Sequence, residues 1–178
     1  YAHLYYRHCN AADPDARDWL IHDYSGMPVQ LSGNYVWIAP GVPAAQAYLR
    51  RQIMYIVKTY PVDGLHFDRI RTSSSSYSYD PISMSRYSGD GNPNNLSFHP
   101  WTCDQITRFL GDTYAQVMEV KPQVKISASP FGWNDYLSVH QDPAAWYSSG
   151  AVDALMPMMY GYGFSYYLPP WLGFRAGR

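Results

Sequence analysis

Short apolar runs of strand length alternate with longer amphipathic stretches between residues 35 and 160. Strands that alternate with helices in this way predict parallel strands joined by right-handed crossovers. The alternation therefore predicts an α/β fold, either a (β/α) barrel or a doubly wound open sheet. The predicted strands are 35–39, 62–70, 124–129 and 152–160, and the predicted helices are 44–60, 103–120 and 142–149.

The segment 72–100 interrupts this alternation because it is rich in Ser, Tyr, Asn, Gly and Pro. Such a composition predicts one long loop between a strand and a helix, with no packed element inside it. A loop of that length within a compact domain is usually functional. We interpret residues 1–178 as a single domain that carries this loop.

The sequence contains no Gly-x-Gly-x-x-Gly turn and no phosphate-binding loop. Their absence argues against the nucleotide-binding versions of the open sheet, which use such glycines to approach phosphates. In a barrel and in an open sheet alike, ligands bind at the carboxyl ends of the strands. Functional residues are therefore expected directly after the predicted strands, and no cofactor is predicted.

Composition excludes several classes of protein. Hydrophobic residues make up 47% of the 178 residues and charged residues 15%, which is typical of a globular chain. The net charge is −1, and the sequence has no cluster of Lys and Arg of the kind that binds a phosphate backbone. Nucleic acid is therefore not an expected partner. No apolar run is long enough to span a bilayer. The excess of 18 Tyr over 6 Phe favours flat surfaces that also hydrogen-bond, as carbohydrate sites do.

The predicted strand 62–70 carries apolar and polar residues in alternation. A period of two places Leu65 and Phe67 on one face, and His66 and Asp68 on the other with Gly64. Polar residues that face the inside of a barrel are costly unless they are partnered or useful, which favours a site at this strand end. The alternative is structural: Asp68 pairs with a neighbouring arginine, and His66 hydrogen-bonds within the barrel.

Four segments together resemble the glycosyl hydrolase-like 10 family, a bacterial barrel family distantly akin to the α-amylase clan. The sequence Asp-Gly-Leu-His-Phe-Asp at 63–68 is similar to the family's Asp-Gly-Ile-His-x-Asp signature. The segment 40–49 resembles its Pro-Gly-x-Pro stretch, and 120–132 resembles its Ser-x-Ser-Pro-Phe-Gly strand. The block 141–160 is similar to its Asp-Trp and Val-Asp-x-x-x-Pro-x-x-Tyr motifs.

The resemblance implies a TIM barrel of the (β/α)8 type, of which this chain contains roughly the middle strands. It also implies hydrolysis of a bacterial glycan or oligosaccharide, and some members of the family act on peptidoglycan strands stripped of peptides. An exported bacterial protein (periplasmic, lipoprotein or secreted) is expected, with its signal segment outside this chain. The expected partner is a carbohydrate substrate.

Glycoside hydrolysis requires two carboxyl groups, one as acid and one as base or nucleophile. By the resemblance, Asp68 is the first member, and Asp135 in the loop after the strand 124–129 is the proposed acid. The alternative is an acid in the part of the barrel that lies outside this chain. The single glutamate, Glu119, is expected on the surface near the end of a helix. Asp80 and Asp90 are weaker candidates, since their Tyr-Asp-Pro and Gly-Asp-Gly contexts are typical of turns.

Six further residues are predicted to bind the substrate. Arg71 has a weaker claim than Asp68, because the stretch Arg69–Ser73 takes the place of an aromatic residue and Tyr-Pro in the family pattern. For the aromatic residues the alternative is packing at the rim of the barrel. The predicted substrate-binding residues are His66, Arg69, Arg71, Trp133, Tyr160 and Tyr162.

Two rival functions remain open from the sequence. The first is a carbohydrate-binding barrel that lacks the acid, which is suggested by the missing glutamate at the strand ends. The second is a metal-dependent hydrolase with His66 and Asp68 as ligands. It is the weaker of the two, because no second cluster of His, Asp or Glu follows another strand, and no metal is predicted.

Overall fold

The structure, a computed structural model, describes residues 18–28, 30–31, 35–133, 135–160 and 163–173. The chain divides into two compact units. One contains residues 1–49 and 72–105, and the other contains 50–71 and 106–178. The prediction of one domain over 1–178 stays a prediction.

The secondary structure is mixed α/β. A 3₁₀ helix at Tyr136–Val139 precedes a short α-helix at Pro143–Ser148. The strands are β1 (Gln30–Leu31), β2 (Tyr35–Val36), β3 (Gly64–Phe67), β4 (Lys125–Ala128) and β5 (Ala154–Leu155), and the helices are α1 (Pro43–Thr59), α2 (Pro81–Ser88), α3 (Phe98–Val120), α4 (Pro143–Ser148) and α5 (Phe164–Leu172).

In the first unit, β1 and β2 form an antiparallel pair. A small apolar core of Ala39, Val42 and Ala45 lies at the start of α1. Helix α2 begins after Asp80, whose Oδ1 accepts a hydrogen bond from the Ser83 backbone N–H at 2.8 Å. This contact satisfies an N–H group that would have no partner within the helix.

In the second unit, β3, β4 and β5 form a parallel sheet in that order. Pairing continues past the short strands, because the Met158 N–H donates to the Pro130 carbonyl at 2.9 Å. The core packs on one face of this sheet and contains residues of all three strands and of α1, α3 and α4. Its members include Val57, Leu110, Val117, Ile126, Trp146 and Val152, with Leu65, Phe67 and Leu155 packed against them.

Most of the predicted helices and strands are present with shifted ends. The predicted helix 44–60 is α1, and 142–149 is α4. The predicted helix 103–120 begins earlier, at Phe98, so that Pro100 lies in its first turn. The first turn tolerates proline because its N–H groups have no intrahelical partners.

Two predictions are wrong. The segment 72–100 is not free of packed elements, because it contains α2, whose proline at the first position and capping Asp80 allow a helix in a polar stretch. The predicted strand 35–39 does not join the parallel sheet in the described part of the chain. Its residues Tyr35 and Val36 pair antiparallel with β1 instead.

The α/β class is confirmed, with three parallel strands and connecting helices. The parallel order of β3, β4 and β5 places their carboxyl ends at one edge of the sheet. The residues that follow these strands therefore define the candidate site.

Candidate functional site

The two faces of the parallel sheet differ in the way the sequence predicted. Leu65 and Phe67 of β3 are half-buried against the core, whereas His66 is exposed on the opposite face. The register pairs His66 with Ser127 of β4, and Ser127 with Ala154 of β5. This face, which we call the open face, is the floor of a shallow cavity of about 570 Å³.

The imidazole of His66 contacts two serine hydroxyls. Its Nδ1 lies 2.9 Å from the Ser127 hydroxyl, and its Nε2 lies 2.9 Å from the Ser129 hydroxyl. The Ser127 hydroxyl also lies 3.5 Å from the Leu65 carbonyl, which can only accept. This network favours a proton on Nδ1 that is donated to Ser127, with Ser129 donating to Nε2. The ring is thus fixed in place by β4.

Asp68 directly follows β3 and is exposed to solvent. Its Oδ1 accepts a hydrogen bond from the Arg69 N–H at 2.7 Å. Arg69 has a φ of 54°, in the left-handed region that non-glycine residues rarely occupy. Strained backbone of this kind clusters at functional sites, where the surrounding structure holds it in place.

Arg71 lies two residues beyond this turn and is half-buried. Its guanidinium carbon lies 4.5 Å from the centre of the Phe131 ring, in a cation–π contact. Burial lowers the pKa of Arg71, and the charge of Arg69 lowers it further, while Asp68 and Tyr160 act in the opposite direction. An arginine remains protonated at neutral pH despite such a shift, so this end of the sheet holds a partly desolvated cation.

Asp135 is exposed and precedes the 3₁₀ helix, in the segment after β4. Its backbone N–H donates to the Gly132 carbonyl at 3.0 Å, while its side chain does not cap the 3₁₀ helix. Nothing in the structure assigns this carboxylate the role of acid, which stays a prediction. Glu119 is exposed near the end of α3, as expected.

The aromatic candidates lie in different environments. The Trp133 ring packs against Trp171 and Tyr136, at centroid distances of 5.2 and 5.8 Å. Burial raises the pKa of Tyr136 in this cluster. Tyr160 is 90% exposed after β5, and Tyr162 lies outside the described residues. Trp133 therefore contributes to packing, and the sugar-stacking roles stay predictions.

The sequence interpretation missed Ser127 and Ser129 as parts of the site. Their signal was present in the alternation of 124–129, where polar residues occupy every second position beside buried Ile126 and Ala128. The same period of two that singled out His66 places both serines on the open face.

Two kinds of feature are absent from the part of the chain that the structure describes. No group of three or more His, Cys, Asp or Glu side chains is arranged there to hold a metal ion. None of the helices in that part combines the length and the apolar character needed to cross a membrane.

The profile of the glycosyl hydrolase-like 10 family matches residues 5–168. The chain belongs to the glycosyl hydrolase-like 10 family. This confirms the resemblance read from the segments between residues 40 and 160.

Curated relatives agree with this family. The chain is 23% identical over 145 residues to glycosyl hydrolase YngK of Bacillus subtilis, covering 72% of this chain and 28% of the relative. It is 24% identical over 162 residues to glycosyl hydrolase DigH of Escherichia coli K12, covering 81% of this chain and 34% of the relative. The chain thus spans about a third or less of the length of these relatives.

Proposed function

We propose that this protein is a glycoside hydrolase of bacterial glycans or oligosaccharides, such as the glycan strands of peptidoglycan. The observation that carries the proposal is an exposed carboxylate, Asp68, directly after a parallel strand in a glycosyl hydrolase-like family. Both named relatives are glycosyl hydrolases.

The proposed fold is a partial (β/α)8 barrel with β3, β4 and β5 as neighbouring strands. Two observations support it: the helices and core residues pack on one face of the parallel sheet, and the opposite face carries exposed His66. A doubly wound sheet would have helices on both faces, whereas the inner face of a barrel carries none. The open face would then line the inside of the barrel.

In the proposed mechanism, Asp68 acts as the nucleophile or stabilises the developing positive charge on the sugar. Asp135 is proposed to protonate the leaving oxygen. Arg69 and Arg71 supply hydrogen-bond donors for sugar hydroxyls, and the aromatic residues after the strands offer flat surfaces for sugar rings. The residues proposed for stacking are Trp133, Tyr160 and Tyr162.

A non-catalytic carbohydrate-binding barrel is the second candidate. It is favoured by one observation: the only glutamate, Glu119, lies on α3, and the segment after β4 has no carboxylate before Asp135. Such a protein would keep the polar open face and bind sugars without cleaving them. An exported bacterial location is proposed for either function.

The test uses the intact protein with peptide-free peptidoglycan strands and with α-linked oligosaccharides. Asp68→Asn is expected to lower turnover by about 10³-fold, because an amide cannot act as nucleophile or base. The matched control is Asp63→Asn, the same change at the exposed residue before β3. Its turnover is expected to stay within about twofold of the native rate, because Asp63 takes no part in the proposed chemistry.

The other outcomes separate the candidates. Glycan binding without turnover by the native protein would overturn the hydrolase and support the binding barrel. If neither binding nor turnover is seen with either class of glycan, both proposals are overturned. Turnover that is lost on chelation and restored by a divalent cation would support the metal-dependent hydrolase instead.

A further inference from the structure

Gln141 is completely buried, and its side chain makes three hydrogen bonds to main-chain groups. Its Oε1 accepts from the Phe131 N–H at 2.7 Å. Its Nε2 donates to the Ile70 carbonyl at 3.1 Å and to the Ser129 carbonyl at 3.3 Å. The amide therefore uses its acceptor and both of its N–H donors inside the protein.

These contacts lie where the sheet ends. The last main-chain hydrogen bond between β3 and β4 runs from the Ser129 N–H to the Phe67 carbonyl at 2.9 Å. Beyond it, the described residues after β3 and β4 show no regular pairing with one another, and the side chain of Gln141 joins Ile70 on one segment to Phe131 on the other. A side chain here replaces the main-chain ladder.

The three residues that Gln141 holds also carry the groups of the candidate site. The hydroxyl of Ser129 contacts His66. Ile70 directly precedes Arg71, and the ring of Phe131 lies under the Arg71 guanidinium. One buried amide thus bonds to the main chain beside both the imidazole and the cation.

We propose that Gln141 is a positioning residue for this site, acting through Ser129, Ile70 and Phe131 without touching the substrate. The inference deepens the proposed function and rests on it for its effect on turnover. Its effect on the geometry of His66 and Arg71 does not depend on the activity. Small misplacements of reacting groups cost much in rate, so a loosened strand end is expected to lower kcat by about 10- to 100-fold.

The main variant is Gln141→Met, which keeps the length of the side chain and removes the acceptor and both donors. In the intact protein, the nitrogen resonances of the His66 imidazole and the ring-shifted resonances of the Arg71 guanidinium are expected to move. Turnover of the glycan is expected to fall through kcat, with KM changing less.

The matched control is Gln105→Met. Gln105 is 2% exposed, and its Oε1 accepts from the Arg86 guanidinium at 2.8 Å, in the other unit of the chain. This control also removes a buried amide. It is expected to leave the His66 and Arg71 resonances and kcat unchanged, so a general loss of stability cannot account for the effect of Gln141→Met.

Gln141→Glu is the second test variant, for use if Gln141→Met does not fold. It keeps an acceptor for the Phe131 N–H, and protonation restores one donor, so the difference between its His66 resonances and those of the native protein at the same pH is expected to shrink as pH falls. Native resonances and native kcat in a folded Gln141 variant would overturn the proposal. Shifted resonances together with no turnover by the native protein would support the positioning role and overturn the hydrolase.

Discussion

The two faces of the parallel sheet show how one short strand serves both stability and chemistry. On the covered face, Ile126 and Ala128 are fully buried against helix residues. On the open face, His66 and Lys125 are exposed, and Ser127 contacts the histidine instead of a core. Adjacent residues of one strand therefore differ in what their replacement should change.

The covered face determines whether the sheet forms, and the open face determines what the sheet can bind. Apolar burial contributes about 25 cal/mol per Å² removed from water. Polar groups on the open face gain little from burial, yet they remain available to a ligand. Substitutions on the two faces should therefore separate a loss of stability from a loss of binding or turnover.

Ile126→Ala on the covered face is expected to lower the free energy of unfolding by about 2–5 kcal/mol, because it removes buried methyl groups and leaves a cavity. Lys125→Ala, one residue earlier and exposed, is expected to cost no more than about 1 kcal/mol. Its Nζ lies 3.9 Å from Asp153, a weak surface pair. Denaturant unfolding measures the free energy of unfolding of both variants. Equal losses in the two would contradict the contrast between the covered and the open face.

Asp153→Asn tests the polar link between the sheet and α3. Asp153 Oδ2 accepts from the Ile126 N–H at 2.8 Å, and Oδ1 accepts from the Tyr114 hydroxyl at 3.2 Å. An asparagine amide has one oxygen and can accept only one of these two hydrogen bonds. The free energy of unfolding is therefore expected to fall by about 1–2 kcal/mol.

The control for that change is Asp142→Asn. Asp142 caps α4 by accepting from the Ala145 N–H at 2.9 Å, and asparagine caps helices about as well. Thermal unfolding of the two variants is the measurement. A larger loss for Asp142→Asn would show that charge matters more at the helix end than at the sheet.

Asp80→Asn examines a carboxylate that belongs to neither face. Asp80 is fully buried, burial raises its pKa, and its Oδ2 makes no hydrogen bond within the described residues. Because the folded pKa lies above the unfolded value, its contribution to stability is full below the unfolded pKa. That contribution is lost as pH rises through the folded pKa.

At acid pH the free energy of unfolding of Asp80→Asn is therefore expected to lie within about 0.5 kcal/mol of the native value, since asparagine keeps the helix cap. At higher pH it is expected to be the more stable protein. The measurement is the free energy of unfolding from acid to neutral pH, with Asp90→Asn, the same change at an exposed position, as the control. A native-like pH profile in Asp80→Asn would contradict the prediction.

Local pattern predicted the parts of the fold whose signal lies within a few residues. The alternation of 62–68 identified the faces of β3, and apolar periodicity identified α1 and most of α3. The helix α2 was missed because serine and tyrosine are weak helix formers. It forms where a proline and a capping aspartate coincide.

The α/β class, the family motifs and the position of Asp68 at the end of a strand could all be predicted from the amino-acid sequence. These follow from periodicity and from residue order, which are local properties of the chain. Only the tertiary structure showed that Ser127 and Ser129 hold His66, that Arg71 stacks on Phe131, and that Gln141 joins the two strand ends. The contacts of His66 with the serines, of Arg71 with Phe131 and of Gln141 with Ile70 join residues 60 to 71 positions apart, and only folding brings such groups together.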